Sequence, residues 1–467
     1  MILSELIKGT GATIIKGCPD AEIESITADS RKVSAGSLFI AVKGRDADGH
    51  AYIDKAMEAG ALASVSTDRH GLAMIADRFY SHPSGKLKLV GITGTNGKTT
   101  TVTLLFNLFR SMGYECGLLS TIANYIGSRR FETENTTSDP ITINSLMSSM
   151  VESGCEFCFM EVSSIGLEQE RVAGLEFAVG IFSNLTHDHL DYHGSFAEYI
   201  RCKKLLFDNL PKKATAIINI DDRNGTVMVQ NCAARTISYS CRSVADHTAR
   251  IIEQGFEGML LRIDSREVWV KLIGAHNAYN ILAIYCTALA LGADKEETLL
   301  GLSTLPSAPG RLDTLHGPNG LNVVIDYAHT PDAMENVLKT LRDVAPTRNL
   351  VCLFGCGGDR DKTKRPEMAA CAEKWADRIF VTSDNSRTER TEDIIEDIRT
   401  GFTPAGLAKT ICISDRREAI RAAITLSPAG STILLAGKGH EDYQIIGKTK
   451  HHFDEKEIVT DIFKTMN

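Results

Sequence analysis

Leu87-Lys88-Leu89-Val90-Gly91-Ile92-Thr93-Gly94-Thr95-Asn96-Gly97-Lys98-Thr99-Thr100 decides the fold. Leu87 to Val90 reads as a buried strand, Gly91 to Thr100 as a tight turn, and Thr99 to Met112 as a helix with Leu104, Leu108 and Met112 on one face. In a strand, loop and helix joined this way, glycines let the backbone curl so that amide hydrogens point inward. The helix N-terminus then adds partial positive charge. Lys98 is spaced to reach the outer phosphates of a nucleotide, and Thr99 to ligate magnesium. The run departs from the general phosphate loop at Ile92, six residues before Lys98, where that pattern has glycine.

Working outward, apolar runs of strand length alternate with helical patterns from Leu87 to about Ser307, as expected for a parallel sheet covered by helices. Residues 1–86 mix strand-like runs such as Ser37 to Val42 with a helix-like stretch from Tyr52 to Gly60, a small α/β unit. Pro306-Ser307-Ala308-Pro309-Gly310 cannot continue a helix or a strand and marks a boundary. Beyond it lie strand-like runs at Asn322 to Ile325, Leu350 to Phe354, Arg378 to Val381 and Thr432 to Leu435. The expected fold is α/β in three domains: 1–86, a central phosphate-loop sheet over 87–307, and a Rossmann-like domain over 308–467.

The chain has 467 residues, too many for one compact core, and its 43% hydrophobic and 24% charged content is that of ordinary globular proteins. The N-terminus lacks a basic stretch followed by an apolar core, and no later segment is long and apolar enough to span a bilayer. A cytoplasmic protein without a membrane partner is expected. The net charge of −8 gives no general attraction to nucleic acid, so anionic substrates need local positive groups. Twelve cysteines scattered through so long a chain read as reduced, mostly buried thiols. Cys155 and Cys158 fall in the apolar run Cys155-Glu156-Phe157-Cys158-Phe159-Met160 and are read as core residues, not zinc ligands.

Glu161 ends that apolar strand, so its carboxylate should emerge at the same sheet edge as the phosphate loop, as a second magnesium ligand. Another strand-like run, Ala178 to Phe182, leads to His187-Asp188-His189-Leu190-Asp191-Tyr192-His193. One histidine is read as a metal ligand and the others as loop residues. A zinc hydrolase is the competing interpretation, but no His-Glu-x-x-His accompanies the cluster. Ser195-Phe196-Ala197-Glu198 has the spacing of a capping box, opening a helix through Lys203 and Lys204 to Leu206, where both lysines would ordinarily face solvent.

These residues resemble the Mur ligases over essentially the whole chain. The similarity rests on the phosphate loop, Asn135-Thr136-Thr137, Glu161-Val162-Ser163-Ser164, Gln169 with Arg171, Asp188 to Gly194, Asp326-Tyr327-Ala328-His329-Thr330-Pro331 and Gly437-Lys438-Gly439-His440-Glu441. It is greatest to the members that add the third residue of the peptide. By that resemblance Gly94, Thr95, Asn96, Gly97, Lys98, Thr99 and Thr100 hold ATP, with Asn277, Asn280, Arg311 and Asp326 around it. Ser30, Arg45, Asp46 and Ala47 would hold the UDP end of the substrate. Asn135, Thr136, Thr137, Ser163, Gln169 and Arg171 would hold its muramoyl dipeptide. Lys203, nine residues after Gly194, matches a lysine that the family carries as a carbamate. It would join Thr99, Glu161 and His189 around Mg2+, and Lys98, Lys203 and His189 are the implied catalytic residues. The family often has Ser-Ser-His-Gly where Ile165 follows Ser164 here, so that histidine's role does not carry over.

Asp384-Asn385-Ser386-Arg387 looks like the Asp-Asn-Pro-Arg signature of the diaminopimelate-adding members, with serine in place of proline. A guanidinium presents a planar fork to a carboxylate, so Arg387 suits the distal carboxylate of meso-diaminopimelate and repels the terminal ammonium of lysine. Arg360 could engage the other carboxylate and Glu441 the distal ammonium, with Gly437 lining the same site. The implied activity is ATP-dependent amide-bond formation between UDP-N-acetylmuramoyl-L-alanyl-D-glutamate and meso-diaminopimelate, by a monomer. The same ligase adding L-lysine or another diamino acid, a different Mur ligase or folylpolyglutamate synthetase, and a phosphate-loop ATPase without ligase activity are the rival readings.

Overall fold

The computed structural model describes residues 1–44, 47–186 and 190–466. They form two compact units, Met1–Arg250 with Tyr279–Leu302, and Ile251–Ala278 with Ser303–Asn467. Both are α/β.

The first unit begins with a small sheet of β1 (Thr13–Lys16), β2 (Ser25–Thr27), β3 (Ser37–Val42) and β4 (Ala63–Thr67), in the order β1-β4-β3-β2. Leu38 and Ile40 on β3 pack with Leu3, Leu6, Val65 and Ile75 in its core. The larger sheet comprises β5 (Lys88–Thr93), β6 (Cys116–Leu119), β7 (Asn124–Ile126), β8 (Arg129–Phe131), β9 (Phe157–Glu161), β10 (Phe177–Phe182), β11 (Thr215–Asn219) and β12 (Arg235–Ser240). β5 lies between β9 and β10 and is parallel to both. From Leu89 onward it is buried, since both of its faces are covered. The strand runs on through Gly91, Ile92 and Thr93, so the turn is shorter than the sequence reading gave it. Gly91 is not a breaker here: a Cβ on it would fall 2.5 Å from the Phe177 ring.

β13 (His247–Gly255) pairs at its start with β12. In the second unit, β14 (Gly258–Ile263) and β15 (Arg266–Val270) form a hairpin. The main sheet there is built from β16 (Asp313–His316), β17 (Asn322–Asp326), β18 (Leu350–Phe354), β19 (Arg378–Val381), β20 (Thr410–Cys412) and β21 (Thr432–Ala436), in the order β16-β17-β21-β18-β19-β20. All neighbours except β16 and β17 are parallel. The carboxyl ends of β17, β18, β19 and β21 therefore face one way, and the motifs at Asp326, Gly357, Asp384 and Gly437 follow them. A hairpin of β22 (Tyr443–Ile446) and β23 (Thr449–His452) follows the last of these.

All twelve cysteines are free; eight are buried, and only Cys18 and Cys412 are exposed. No helix among the described residues is long and apolar enough to cross a membrane.

A buried guanidinium ties the ends of two strands of the second sheet together. Arg416 donates from Nη1 to the Ser383 carbonyl (3.0 Å), from Nη2 to the Ala436 carbonyl (2.9 Å) and from Nε to the Glu455 carboxylate (2.8 Å). Both charged side chains are essentially sealed from solvent. Removing one member of such a pair strands the other charge, so Arg416→Met should destabilise this unit by about 3–5 kcal/mol. Trp269 and Trp375, the protein's two tryptophans, both lie in this unit, so the denaturant midpoint of their fluorescence measures the loss.

Candidate active site

In the first unit the turn after β5 is Gly94-Thr95-Asn96-Gly97, and the helix Lys98–Ser111 starts at Gly97 without a side-chain cap. Gly94 (φ +149°) and Gly97 (φ +87°) adopt conformations that L side chains rarely take. A Cβ on Gly94 would lie 2.0 Å from Ser183 Oγ, and one on Gly97 2.4 Å from Asn280 Oδ1, so Asn280 is set directly against the loop. The segment after β10 clamps it. Ser183 Oγ and Asn184 Nδ2 donate to the Asn96 carbonyl (2.7 and 3.1 Å), and Asn96 N donates to Asn184 Oδ1 (3.0 Å).

Lys98 Nζ donates to the carbonyls of Gly94 (2.9 Å) and Thr95 (2.8 Å). Lys203, on the helix Phe196–Asp208, reaches the same Gly94 carbonyl at 2.8 Å. Lys203 is 1% exposed, where a helical lysine would ordinarily face solvent, and its Nζ lies 4.6 Å from the centre of the Tyr199 ring. Lys204 is also largely covered and pairs with Asp208. Ser195 caps this helix through Glu198 N (3.2 Å), but the Glu198 carboxylate turns to Arg201, so only half of a capping box forms.

Glu161 is buried at the end of β9. Its Oε2 accepts from Thr99 Oγ1 (3.0 Å) and its Oε1 from Thr121 N (2.9 Å). Thr121 is a contact that the sequence did not announce, because it acts through a backbone amide. The chain of contacts continues into the residues expected to hold the dipeptide. Thr121 Oγ1 donates to Thr136 Oγ1 (3.0 Å), Thr137 Oγ1 donates to the Glu161 carbonyl (3.0 Å), and Ser163 N donates to Thr137 Oγ1 (2.9 Å). Arg171 donates from Nη1 to the Thr137 carbonyl (2.6 Å) and from Nη2 to Gln169 Oε1 (2.8 Å). Burial lowers the Arg171 pKa, the direction expected for a desolvated cation.

Ser30 and Ala47 lie in the small N-terminal part of the first unit. Ser30 opens a short 3-10 helix whose cap, Asp29, is held at a pKa of about 2 by hydrogen bonds from Arg31. Ala47 is exposed, with its carbonyl accepting from Gly44 N (2.9 Å), and Asn135 is exposed as well. Arg45, Asp46, His187, Asp188 and His189 lie outside the described residues. Among the described residues, no three His, Cys, Asp or Glu side chains converge as a metal site.

The second unit carries the remaining candidates. Asn277 Nδ2 donates to the Ile273 carbonyl (2.9 Å). Asp326, at the end of β17, accepts from Leu312 N (2.8 Å) and Ala328 N (2.9 Å). Burial raises its pKa against the opposing pull of Arg311, whose guanidinium lies 5.0 Å from the centre of the Tyr327 ring. Arg387 adopts a left-handed backbone (φ 50°) and donates from Nη1 to the Gly358 carbonyl (2.9 Å). A Cβ on Gly357 would lie 3.1 Å from Arg387 Nη1 and 3.6 Å from Arg360 Cγ, so both arginines flank this glycine. Asn385 Nδ2 donates to Glu441 Oε2 (2.9 Å), and Ser386 is buried beside it. Gly437 (φ +114°) brings its backbone so near Asp384 that a Cβ would lie 3.3 Å from Asp384 Oδ2. Lys438, between the candidates Gly437 and Glu441 in sequence, is completely buried among these groups.

Residues 22–85 match a family model described as Mur ligase family, catalytic domain; 92–288 match Mur ligase middle domain; and 310–439 match Mur ligase, glutamate ligase domain. The chain is 48% identical over 481 residues to a UDP-N-acetylmuramoyl-L-alanyl-D-glutamate--2,6-diaminopimelate ligase of Phocaeicola vulgatus, covering 99% of each chain. It is 38% identical over 488 residues to the protein of the same name from Clostridioides difficile, covering 100% of both. A solved structure of a ligase with that name superposes with a TM-score of 0.73 at 30% identity, covering 100% of this chain and 99% of the other. The MurF ligase of Thermotoga maritima in complex with ADP shares the fold, with a TM-score of 0.64 at 19% identity over 96% of this chain and 98% of its own. On full-length relatives at these identities, with all three models matched in chain order, the chain belongs to the Mur ligase family.

Proposed function

We propose that this chain is the ATP-dependent ligase that joins the free carboxylate of UDP-N-acetylmuramoyl-L-alanyl-D-glutamate to an amine of meso-diaminopimelate in peptidoglycan precursor synthesis. The observation that carries the choice of amino acid is the pairing of opposite charges at one corner of the second unit. Arg360 and Arg387 flank Gly357, while Glu441 is fastened to Asn385, two residues from Arg387. The far end of meso-diaminopimelate bears a carboxylate and an ammonium, which suits a cation and an anion presented together. The far end of lysine bears only the ammonium. Relatives named for this activity match at full length.

The division of labour follows 1–86 for the UDP end, 87–307 for ATP and the dipeptide, and 308–467 for the amino acid. ATP phosphates lie along the amides of Gly94 to Thr100, with Lys98 turning from the loop carbonyls to the outer phosphates. The carboxylate attacks the γ-phosphorus, ADP leaves, and the acyl phosphate is attacked by the amine. The tetrahedral intermediate collapses with loss of phosphate, and the amine's proton passes to solvent. The protein's contribution is alignment and charge placement.

The donor set fits a magnesium ion: a buried carboxylate on Glu161 and a buried hydroxyl on Thr99 are already in contact beside the loop. Thr99, Glu161, His189 and a carbamate on Lys203 would hold it, and when bound it neutralises phosphate charge. Supporting the carbamate, the Lys203 nitrogen is buried against the Gly94 carbonyl, and a desolvated amine is the kind that stays partly neutral and can be carbamylated. The free, mostly buried thiols agree with a reducing cytoplasm, where the enzyme works as a monomer.

Phosphate release should require the UDP-muramoyl dipeptide and meso-diaminopimelate together, and far exceed that with L-lysine or L-ornithine; release with ATP alone would favour an ATPase. Lys98→Met should lower kcat by roughly 10^2–10^3-fold while circular dichroism stays unchanged. Arg387→Ala should raise KM for meso-diaminopimelate by about 10–100-fold, the range for loss of a charge-assisted contact, and narrow the preference over L-lysine.

A further inference from the structure

Between two glycines in the loop after β21, Lys438 sends its ammonium into the protein rather than into solvent. Nζ donates to the Tyr443 carbonyl (2.7 Å), Asn385 Oδ1 (3.3 Å) and Glu441 Oε2 (3.3 Å), and pairs with Asp384 Oδ1 at 3.3 Å. A buried ammonium is tolerated only where oxygens surround it. Here they come from the turn after β19 and from the loop and hairpin after β21. The two segments are cross-linked further: Asn385 Nδ2 donates to Glu441 Oε2 (2.9 Å), Ile445 N to Asn385 Oδ1 (2.9 Å) and Gln444 Nε2 to the Asp384 carbonyl (2.9 Å).

We propose that Lys438 is a positioning residue for the amino-acid substrate, holding the Glu441 carboxylate and the Asp384–Asn385 turn in the one arrangement that receives the substrate's distal ammonium. The proposal rests on the reading of this corner as the diaminopimelate site. Being sealed, Lys438 acts through its neighbours and does not itself touch substrate. Its effect on Glu441 is electrostatic as well as steric. Burial raises the Glu441 pKa, Lys438 opposes the rise and Asp384 adds to it. Arg416 acts on Asp384 alongside Lys438. Tyr327 and Tyr443, the other titratable groups facing Glu441, have pKa values raised by burial and stay neutral in the working range. Removing Lys438 therefore leaves Glu441 protonated to a higher pH, and the protonated carboxyl no longer attracts an ammonium.

The test is steady-state kinetics of the full chain carrying Lys438→Met, with each of the three substrates varied in turn across pH. KM for meso-diaminopimelate is expected to rise roughly 10–100-fold, with KM for ATP and for the UDP-muramoyl dipeptide nearly unchanged. The acid limb of kcat/KM for diaminopimelate should shift to higher pH. An unchanged KM for diaminopimelate in folded Lys438→Met, or equal changes in all three KM values, overturns the proposal. Should this variant not fold, Lys438→Arg carries the test. It keeps the charge but displaces the donors, so KM for diaminopimelate should rise while the acid limb stays in place; an unchanged KM overturns the proposal. Wild-type protein that releases no phosphate with meso-diaminopimelate would instead overturn the substrate reading.

Discussion

Ser183 and Asn184 hold the backbone of Thr95 and Asn96 through four hydrogen bonds. That grip is possible only because Gly94 has no side chain to keep the two segments apart. Much of the first unit's architecture serves this contact. β5 and β10 are parallel neighbours, so the chain leaves both at the same edge and the two loops meet. β9, on the other side of β5, delivers Glu161 to that edge as well. A loop held at this many points has little freedom left to lose when an anion arrives, which is the physical content of preorganisation.

The strands and the phosphate loop were legible because they rest on short-range rules. Leu350 to Phe354 and Arg378 to Val381 have in the structure the bounds expected from the sequence, since each is a short, largely apolar run of strand length. Gly91 misled because glycine normally breaks a strand, whereas here it makes room for the Phe177 ring from a neighbouring strand. That ring comes from far along the chain, and no local pattern announces it.

Charged residues were harder to read for the same reason. Lys203 and Lys438 look like surface lysines by residue type, although Lys203 shares the buried stripe of its helix with Tyr199, Cys202, Leu206 and Phe207, and Lys438 stands between turn-forming glycines. Each is received by an oxygen from far along the chain, the Gly94 carbonyl for Lys203 and Asn385 Oδ1 for Lys438, the latter joined by the nearby Glu441 and Tyr443. Thr121 was invisible because a backbone amide carries no side-chain signature. The hint available was context, since Lys438 lies inside a run already singled out for Gly437 and Glu441. A cation flanked by glycines and followed by an acid three residues later is worth treating as an internal counter-ion.

The distribution of thiols has a practical side. Cys18 and Cys412 are the two exposed cysteines, and one falls in each compact unit. The native chain thus offers an attachment point for a donor dye on one body and an acceptor on the other. Energy transfer between them would measure the separation of the two bodies without any engineered handle.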